Sequence, residues 1–99
     1  MTIKDIKVGM LYFRPNYVAP YNELRKVVAI KENPNAGRAV KEVYGGSVWN
    51  EPYGEIVAIG LDTNEITNFA VQSITEELDD YLKIVKDENE YKMLIKKVA

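Results

Sequence analysis

Between residues 6 and 72, apolar and polar residues alternate in short runs of the kind that form half-buried β-strands. In the run 24–32, for example, Leu24, Val28 and Ile30 fall on one face of the strand. The run 55–61 is the most apolar and is expected to lie at the centre of the sheet. The pattern predicts strands at 6–14, 24–32, 38–44, 47–49, 55–61 and 66–71.

Turn-forming residues separate these runs. The segment 15–23 contains two prolines and is the longest loop, while 33–37 and 62–65 carry the Asn, Asp, Pro and Gly residues typical of turns. Two glycines at 45–46 stand between two apolar runs, which is the signature of a tight β-hairpin. Gly9, inside the first run, indicates a bulge or a close approach of the backbone. These signals predict an antiparallel meander.

The pattern changes after residue 73, where apolar residues recur three and four positions apart, as on one face of a helix. The first such stripe consists of Leu78, Tyr81, Leu82 and Val85, and the second of Tyr91, Leu94, Ile95 and Val98. The residues at 88 and 89 are Glu and Asn, so the two stripes do not join in phase.

Two capping boxes also mark the beginnings of helices in this tail, at 73–76 and at 87–90. We therefore predict two short helices within 74–98, with a break near Asp87, packed on the sheet. In the alternative, 81–85 is a last strand that precedes a single final helix.

Composition excludes several classes of function. Cys and His are both absent, so the chain has no thiolate or imidazole nucleophile and lacks the side chains that bind most transition metals. The glycines at 45–46 are not followed by the Lys and Ser or Thr of a phosphate-binding loop. We therefore predict a protein that is not an enzyme and that has no catalytic residues, cofactor or metal site.

Length and hydropathy are those of one small soluble domain. The 99 residues are 46% hydrophobic and carry a net charge of −2, which predicts a single domain over 1–99, with a β-rich part at 6–72 and a helical tail at 74–98. The first residues lack the apolar core of a secretory signal, and no apolar run approaches the ~20 residues of a membrane span. The expected location is the cytoplasm, without membrane association.

The expected fold class is α+β, with a small antiparallel meander or barrel. A first strand bearing Lys-Val-Gly at 7–9, a long loop, meandering strands and a terminal helix together resemble SH3-like small β-barrels over residues 6–72. Barrels of this kind that bind proline-rich peptides carry an acidic-aromatic motif in the first strand and loop, and a Trp that opens the third strand. Here 14–17 reads Arg-Pro-Asn-Tyr and Trp49 follows the turn at 45–46. The resemblance therefore implies the fold and not the peptide-binding activity.

Large aromatic residues in turn-like sequence are the main indication of function. Tyr17 and Tyr21 lie in the Pro-rich first loop, and Trp49, Glu51 and Tyr53 lie in a second stretch that contains Asn, Pro and Gly. Loops lie at the surface, and rigid aromatic rings beside polar groups dominate protein–protein binding. We expect these five residues to form a surface that binds another protein. In the alternative, the rings fold back and close the open end of the barrel.

The function expected from these features is that of a small regulator that inhibits or redirects another protein, such as those made by phages or mobile elements. A second hypothesis is a nucleic-acid-binding barrel, in which basic side chains pair with phosphates while aromatic rings stack on bases. Its candidate residues are Arg14, Arg25, Lys26, Arg38 and Lys41. A third is a structural subunit that oligomerises through its helical tail. The sequence leaves both a monomer and a homodimer open.

Overall fold

A computed structural model describes residues 1–36, 39–41 and 48–98 of the chain. After a short 3₁₀ helix at Ile3–Asp5, the elements are β1 (Leu11–Phe13), β2 (Arg25–Glu32), β3 (Ala39–Lys41), β4 (Val48–Asn50), β5 (Gly54–Gly60), β6 (Ile66–Val71), β7 (Lys83–Val85) and α1 (Glu88–Val98). The predicted α+β class is confirmed, because a curled antiparallel sheet of five strands is followed by one C-terminal helix.

The five-stranded sheet has the order β6-β5-β2-β1-β7, and each neighbouring pair is antiparallel. β2, β5 and β6 form a meander, whereas β7 returns from the far end of the chain to pair with β1, where Leu11 lies opposite Val85. A register shift between Val27 and Ala29 interrupts the regular pairing of β2 with β5, and such irregularities increase local twist. The sheet curls as in a small β-barrel, and β6 and β7 are its edge strands.

A separate two-stranded sheet of β3 and β4 lies within the connection between β2 and β5. Its strands are antiparallel, with Val40 opposite Trp49. The predicted turn at 45–46 falls outside the described residues.

β1 is shorter than the predicted strand 6–14 because the residues before it leave the sheet and enter the core. Ile3 and Ile6 are buried there. Gly9 has a φ of 96°, a conformation that favours glycine, and its N–H donates to the carbonyl of Val27 at 2.8 Å. The irregular backbone indicated by this glycine is therefore present at the start of β1.

The predicted helix between residues 74 and 86 is wrong, and the alternative of a last strand followed by one helix is confirmed. The N–H of Leu82 donates to the carbonyl of Leu78 at 2.9 Å, which closes a single turn, and the chain then extends as β7. Both leucines are buried in the core. Their spacing reflects one turn that directs two leucines inward, and pairing with the edge of β1 then outweighs any local preference for helix.

α1 begins at the predicted position. Oδ1 of Asp87 accepts a hydrogen bond from the N–H of Glu90 at 2.9 Å, and the Glu90 carboxylate accepts one from the N–H of Lys86 at 2.9 Å. The helix packs on the sheet through Tyr91, Leu94 and Ile95, against Phe13, Leu24 and Val85.

The main core lies on the concave face of the sheet. Its buried members are Ile3, Ile6, Tyr12, Val27, Ile56, Ala58, Val71, Leu78 and Leu82. Residues directly opposite each other on paired strands share a face. Arg25 lies opposite Tyr12, Thr67 opposite Ala58 and Phe69 opposite Ile56, so these three also face the concave side.

Candidate functional site

The loop between β1 and β2 presents two tyrosines to solvent. Successive turns set its path: the N–H of Tyr17 donates to the carbonyl of Arg14 at 3.2 Å, and that of Tyr21 donates to the carbonyl of Val18 at 2.9 Å. Tyr17 is 41% exposed and Tyr21 is 63% exposed. Both rings therefore lie at the surface, close to the ends of β1 and β2.

Arg14, which directly follows β1, is held between two aromatic rings. Its guanidinium carbon lies 3.9 Å from the centre of the Tyr17 ring and 5.3 Å from that of Phe69. Its Nη2 also donates to the hydroxyl of Tyr17 at 2.7 Å. Stacking of this kind orients a guanidinium while leaving part of its donor fork for other acceptors. The Nε of Arg14 is buried and has no hydrogen-bond partner among the described residues.

Arg25 begins β2 and faces the concave side, where it is 7% exposed. Its Nη1 donates to Oγ1 of Thr67 at 2.8 Å, and its Nη2 lies 3.6 Å from Oε1 of Glu23. The carboxylate of Glu23 is itself buried and accepts hydrogen bonds from the hydroxyl and N–H of Thr63, at 2.8 and 3.3 Å. A buried charge requires such partners. Arg25 is thus a fixed and partly compensated cation.

The two arginines line one cavity of about 150 Å³ near the β6 edge of the sheet. Its remaining walls are aromatic or neutral: Tyr12, Tyr21, Thr67, Asn68 and Phe69. Among the described residues, none of those that line it carries a carboxylate. The cavity therefore combines cationic donors with apolar ring surfaces, an arrangement suited to an anionic group on a partly apolar ligand.

Phe69 and Tyr81 belong to this surface, although the sequence did not indicate them. Their ring centroids are 5.9 Å apart. Tyr81 lines a second hollow of about 200 Å³, which it shares with Arg14, Tyr17 and Asp80. Phe69 lies within a predicted strand and Tyr81 within a predicted helix. The only sequence signal was the alternation of β6, which puts Phe69 on the same face as Thr67.

Burial changes the acidity of Tyr12 beside the cavity. Desolvation raises the pKa of its hydroxyl above the ordinary value of 10.0, and the charge of Arg25 partly opposes this rise. The hydroxyl is therefore neutral at neutral pH and adds no negative charge to the cavity.

The other predicted aromatic stretch lies elsewhere. Tyr53 is half-buried against the main core, its hydroxyl donates to Glu32 at 3.3 Å, and desolvation raises its pKa. Glu51 accepts a hydrogen bond from the side chain of Asn33 at 3.0 Å. The backbone of Trp49 lies in β4, and its side chain is outside the described part of the structure.

Of the five predicted residues, the structure therefore separates Tyr17 and Tyr21 from Glu51 and Tyr53. Tyr17 and Tyr21 precede β2, whereas Glu51 and Tyr53 follow the connection at its other end. An eight-residue strand spans about 26 Å. Tyr53 lines a different hollow, with Gln72 and Ile74.

The basic residues predicted for nucleic acid also lie apart. Arg14 and Arg25 line the cavity, but Lys26 is exposed on the opposite face of β2. Arg38 lies outside the described residues, and only the backbone of Lys41, in β3, is described.

Two further hollows have mixed charge. One of about 280 Å³ lies between β2 and β5, beside Lys31, Glu32 and Glu55. The other, of about 740 Å³, is a shallow depression between Leu11 and Glu90.

Among residues 1–36, 39–41 and 48–98, no three potential metal-ligating side chains are grouped together. The helical segments of these residues are too short or too polar to cross a bilayer.

Comparison of the chain with protein-family models, with curated proteins and with solved structures finds no match in any of the three.

Proposed function

We propose that this chain is a small non-enzymatic interaction module that binds another protein, through the Tyr17–Tyr21 loop and the adjoining β6 edge, and so inhibits or redirects it. The observation that carries this proposal is the placement of Arg14. It is stacked between Tyr17 and Phe69, beside the exposed Tyr21. Tyrosine and arginine side chains that are already ordered before binding are typical of the residues that contribute most to protein interfaces.

The β6 edge supports the same surface. Among the described strands β6 pairs only with β5, and its sequence from Ile66 to Val71 contains no charged residue and no proline. Proteins usually protect such edges with charges or prolines, since an unprotected edge pairs with other chains. An edge that lies beside ordered aromatic residues is suited to receive a partner strand.

The strand order also supports assignment to SH3-like barrels. A meander of β2, β5 and β6, with β1 beside β2 and the last strand returning to β1, is the connectivity expected of that group. Under this assignment the Tyr17–Tyr21 loop is the long first loop, and the two-stranded sheet of β3 and β4 is an addition within the next connection.

The nucleic-acid hypothesis has weaker support. Arg25 is buried beside Glu23, and Lys26 points away from Arg14. The hypothesis of oligomerisation through the tail has weaker support as well, because Tyr91, Leu94 and Ile95 pack on the sheet.

The test is affinity capture from lysate of the source organism with three baits: the unaltered protein, the double variant Tyr17→Ala, Tyr21→Ala, and Met93→Ala as the matched surface control. Met93 is 67% exposed and lies on α1, away from the cavity. We expect a partner protein that the unaltered protein and the control retain and that the double variant loses. A capture that is unchanged in the double variant would contradict the proposed surface. Recovery of nucleic acid alone would favour the second hypothesis.

A further inference from the structure

We infer that the cavity between Arg14 and Arg25 receives a carboxylate side chain from an extended segment of the partner, which pairs with β6 as an added strand. This inference rests on the proposed function and names the chemistry of the partner. It predicts an acidic side chain at one inward-facing position of that segment.

The first argument is that Arg14 has no counter-charge within the described part of the chain. The ion pairs of the described residues join the N-terminal ammonium to Glu77 and Asp79, and Arg25 to Glu23, but none involves Arg14. Asp80 lines a neighbouring hollow together with Arg14, but the two form no salt bridge. Since Nε of Arg14 also has no acceptor among the described residues, this guanidinium lacks both a counter-charge and a hydrogen-bond acceptor there. A carboxylate satisfies both needs at once.

The second argument is the charge of the cavity. Arg14 and Arg25 contribute two positive charges, and Glu23, 3.6 Å from Arg25, contributes one negative charge. The remaining single positive charge matches one carboxylate. A phosphate group carries a charge of about −1.5 to −2 at neutral pH and would leave the cavity over-compensated.

The third argument is the position of the cavity along the sheet. Three consecutive β6 residues, Thr67 to Phe69, form part of its wall. A strand added to β6 lies about 4.8 Å beyond it and directs every second side chain to the concave face. An inward side chain opposite Thr67 or Phe69 would therefore point toward the arginines. The volume of about 150 Å³ accommodates one side chain and not a larger ligand.

The test uses three blocked five-residue peptides that differ only at the centre: acetyl-Val-Thr-Glu-Thr-Val-amide, its Gln analogue and its phosphoserine analogue. Each is titrated into the ¹⁵N-labelled protein while the backbone amides and the arginine Nε–H signals are followed by NMR. We expect the Glu peptide to shift the Nε–H signals of Arg14 and Arg25 and the amides of 66–71. Short peptides of this kind bind on the millimolar scale. Because the carboxylate makes charge-assisted hydrogen bonds to the arginines, the Glu peptide should bind about tenfold more tightly than the Gln peptide.

Two protein variants complete the design. Arg14→Gln should remove the preference for Glu over Gln, whereas Lys26→Gln, on the opposite face of β2, should keep it. The spectra themselves show whether each variant is folded. If Arg14→Gln does not fold, the comparison of the three peptides on the unaltered protein still tests the inference.

Each other outcome overturns the inference in a distinct way. Equal binding of the Glu and Gln peptides at β6 would reject the carboxylate but leave the interaction module in place. Tighter binding of the phosphoserine peptide would assign the cavity to phosphate. Absence of any shift in 66–71 would reject strand addition, and the lysate capture would then decide separately whether the loop binds a protein.

Discussion

The rings of Phe13 and Tyr91 meet edge to face, with their centroids 5.1 Å apart and their planes at 78°. Phe13 belongs to β1 and Tyr91 to α1, so this contact holds the helix against the sheet. The hydroxyl of Tyr91 also donates to the carbonyl of Asn22 at 3.0 Å. One side chain thus stabilises both the helix and the end of the loop that carries Tyr17 and Tyr21.

Removal of the Tyr91 side chain is expected to destabilise the fold. Tyr91→Ala loses the ring contacts and should lower the free energy of unfolding by about 2–3 kcal/mol. Tyr91→Phe loses only the hydrogen bond and should cost about 1 kcal/mol. Urea denaturation measures both, and the exposed Met93→Ala should stay within about 0.5 kcal/mol. Unchanged stability together with loss of a dimer would show instead that the helix is an association surface.

Gly60 is expected to be intolerant of a side chain. A β-carbon at this position would lie on the carboxylate of Glu23, which holds Thr63 and faces Arg25. Gly60→Ala should therefore cost about 1–3 kcal/mol through overpacking and displacement of the carboxylate. A double-mutant cycle with Glu23→Ala checks the cause. The Gly60→Ala cost should shrink when the carboxylate is absent, and strict additivity would show that Glu23 is not involved.

Tyr12 should make the fold sensitive to alkaline pH. Burial raises the pKa of its hydroxyl above 10.0, so the unfolded chain releases this proton at a lower pH than the folded chain. The contribution of Tyr12 to the free energy of unfolding is constant below about pH 10. Stability then falls as the pH rises through the pKa of the folded state, because the unfolded state binds fewer protons in that range. Urea midpoints measured on either side of pH 10 should show the fall.

The matched variants for this experiment are Tyr12→Phe and Tyr21→Phe. Tyr12→Phe removes one buried hydroxyl and should reduce the alkaline loss. Tyr91 retains its own contribution, since desolvation raises its pKa as well. Tyr21 is largely exposed, so Tyr21→Phe should keep the slope of the unaltered protein. Identical slopes in both variants would contradict the role of Tyr12.

A charge placed on the β6 edge should block partner binding without unfolding the protein. Ala70 is exposed and lies opposite Glu55 on β5. Ala70→Lys therefore faces an opposite charge and should change stability by no more than about 0.5 kcal/mol. A lysine on an edge strand opposes pairing with another chain, so capture of the partner should be lost. A partner that the variant retains would show that it uses the loop alone.

Much of the fold could be predicted from the alternation of apolar and polar residues in the strands. The predicted strands 24–32, 55–61 and 66–71 agree within one residue at each end with Arg25–Glu32, Gly54–Gly60 and Ile66–Val71. These strands are long enough to show their period. The segment 81–85 was ambiguous, since the apolar spacing that fits a helix also fits one turn followed by three strand residues. Only the edge of β1 decides between them, and that edge depends on the whole fold.

Only part of the candidate site could be predicted from the sequence, because the rest also depends on the whole fold. Turn residues around Tyr17 and Tyr21 indicated a surface loop, and the loop is exposed. The partnership of Arg14 with Phe69 is a property of strand order, which brings residues from distant parts of the chain together. The sequence groups Tyr53 with the Tyr17–Tyr21 loop because both stretches combine aromatic residues with Pro and Asn, but β2 separates the two stretches.

The pairing of Leu11 with Val85 also determines when the sheet can be completed during synthesis. β2, β5 and β6 need only neighbouring partners, and such local contacts form quickly. The outer edge of β1 has no partner until residues 83–85 have left the ribosome. A chain interrupted before that point would carry its central meander with an unpaired edge at β1, and without Val85 it would leave Phe13 and Leu24 less well covered. Incomplete products would therefore display exposed backbone and apolar surface, the features by which chaperones and proteases select their substrates.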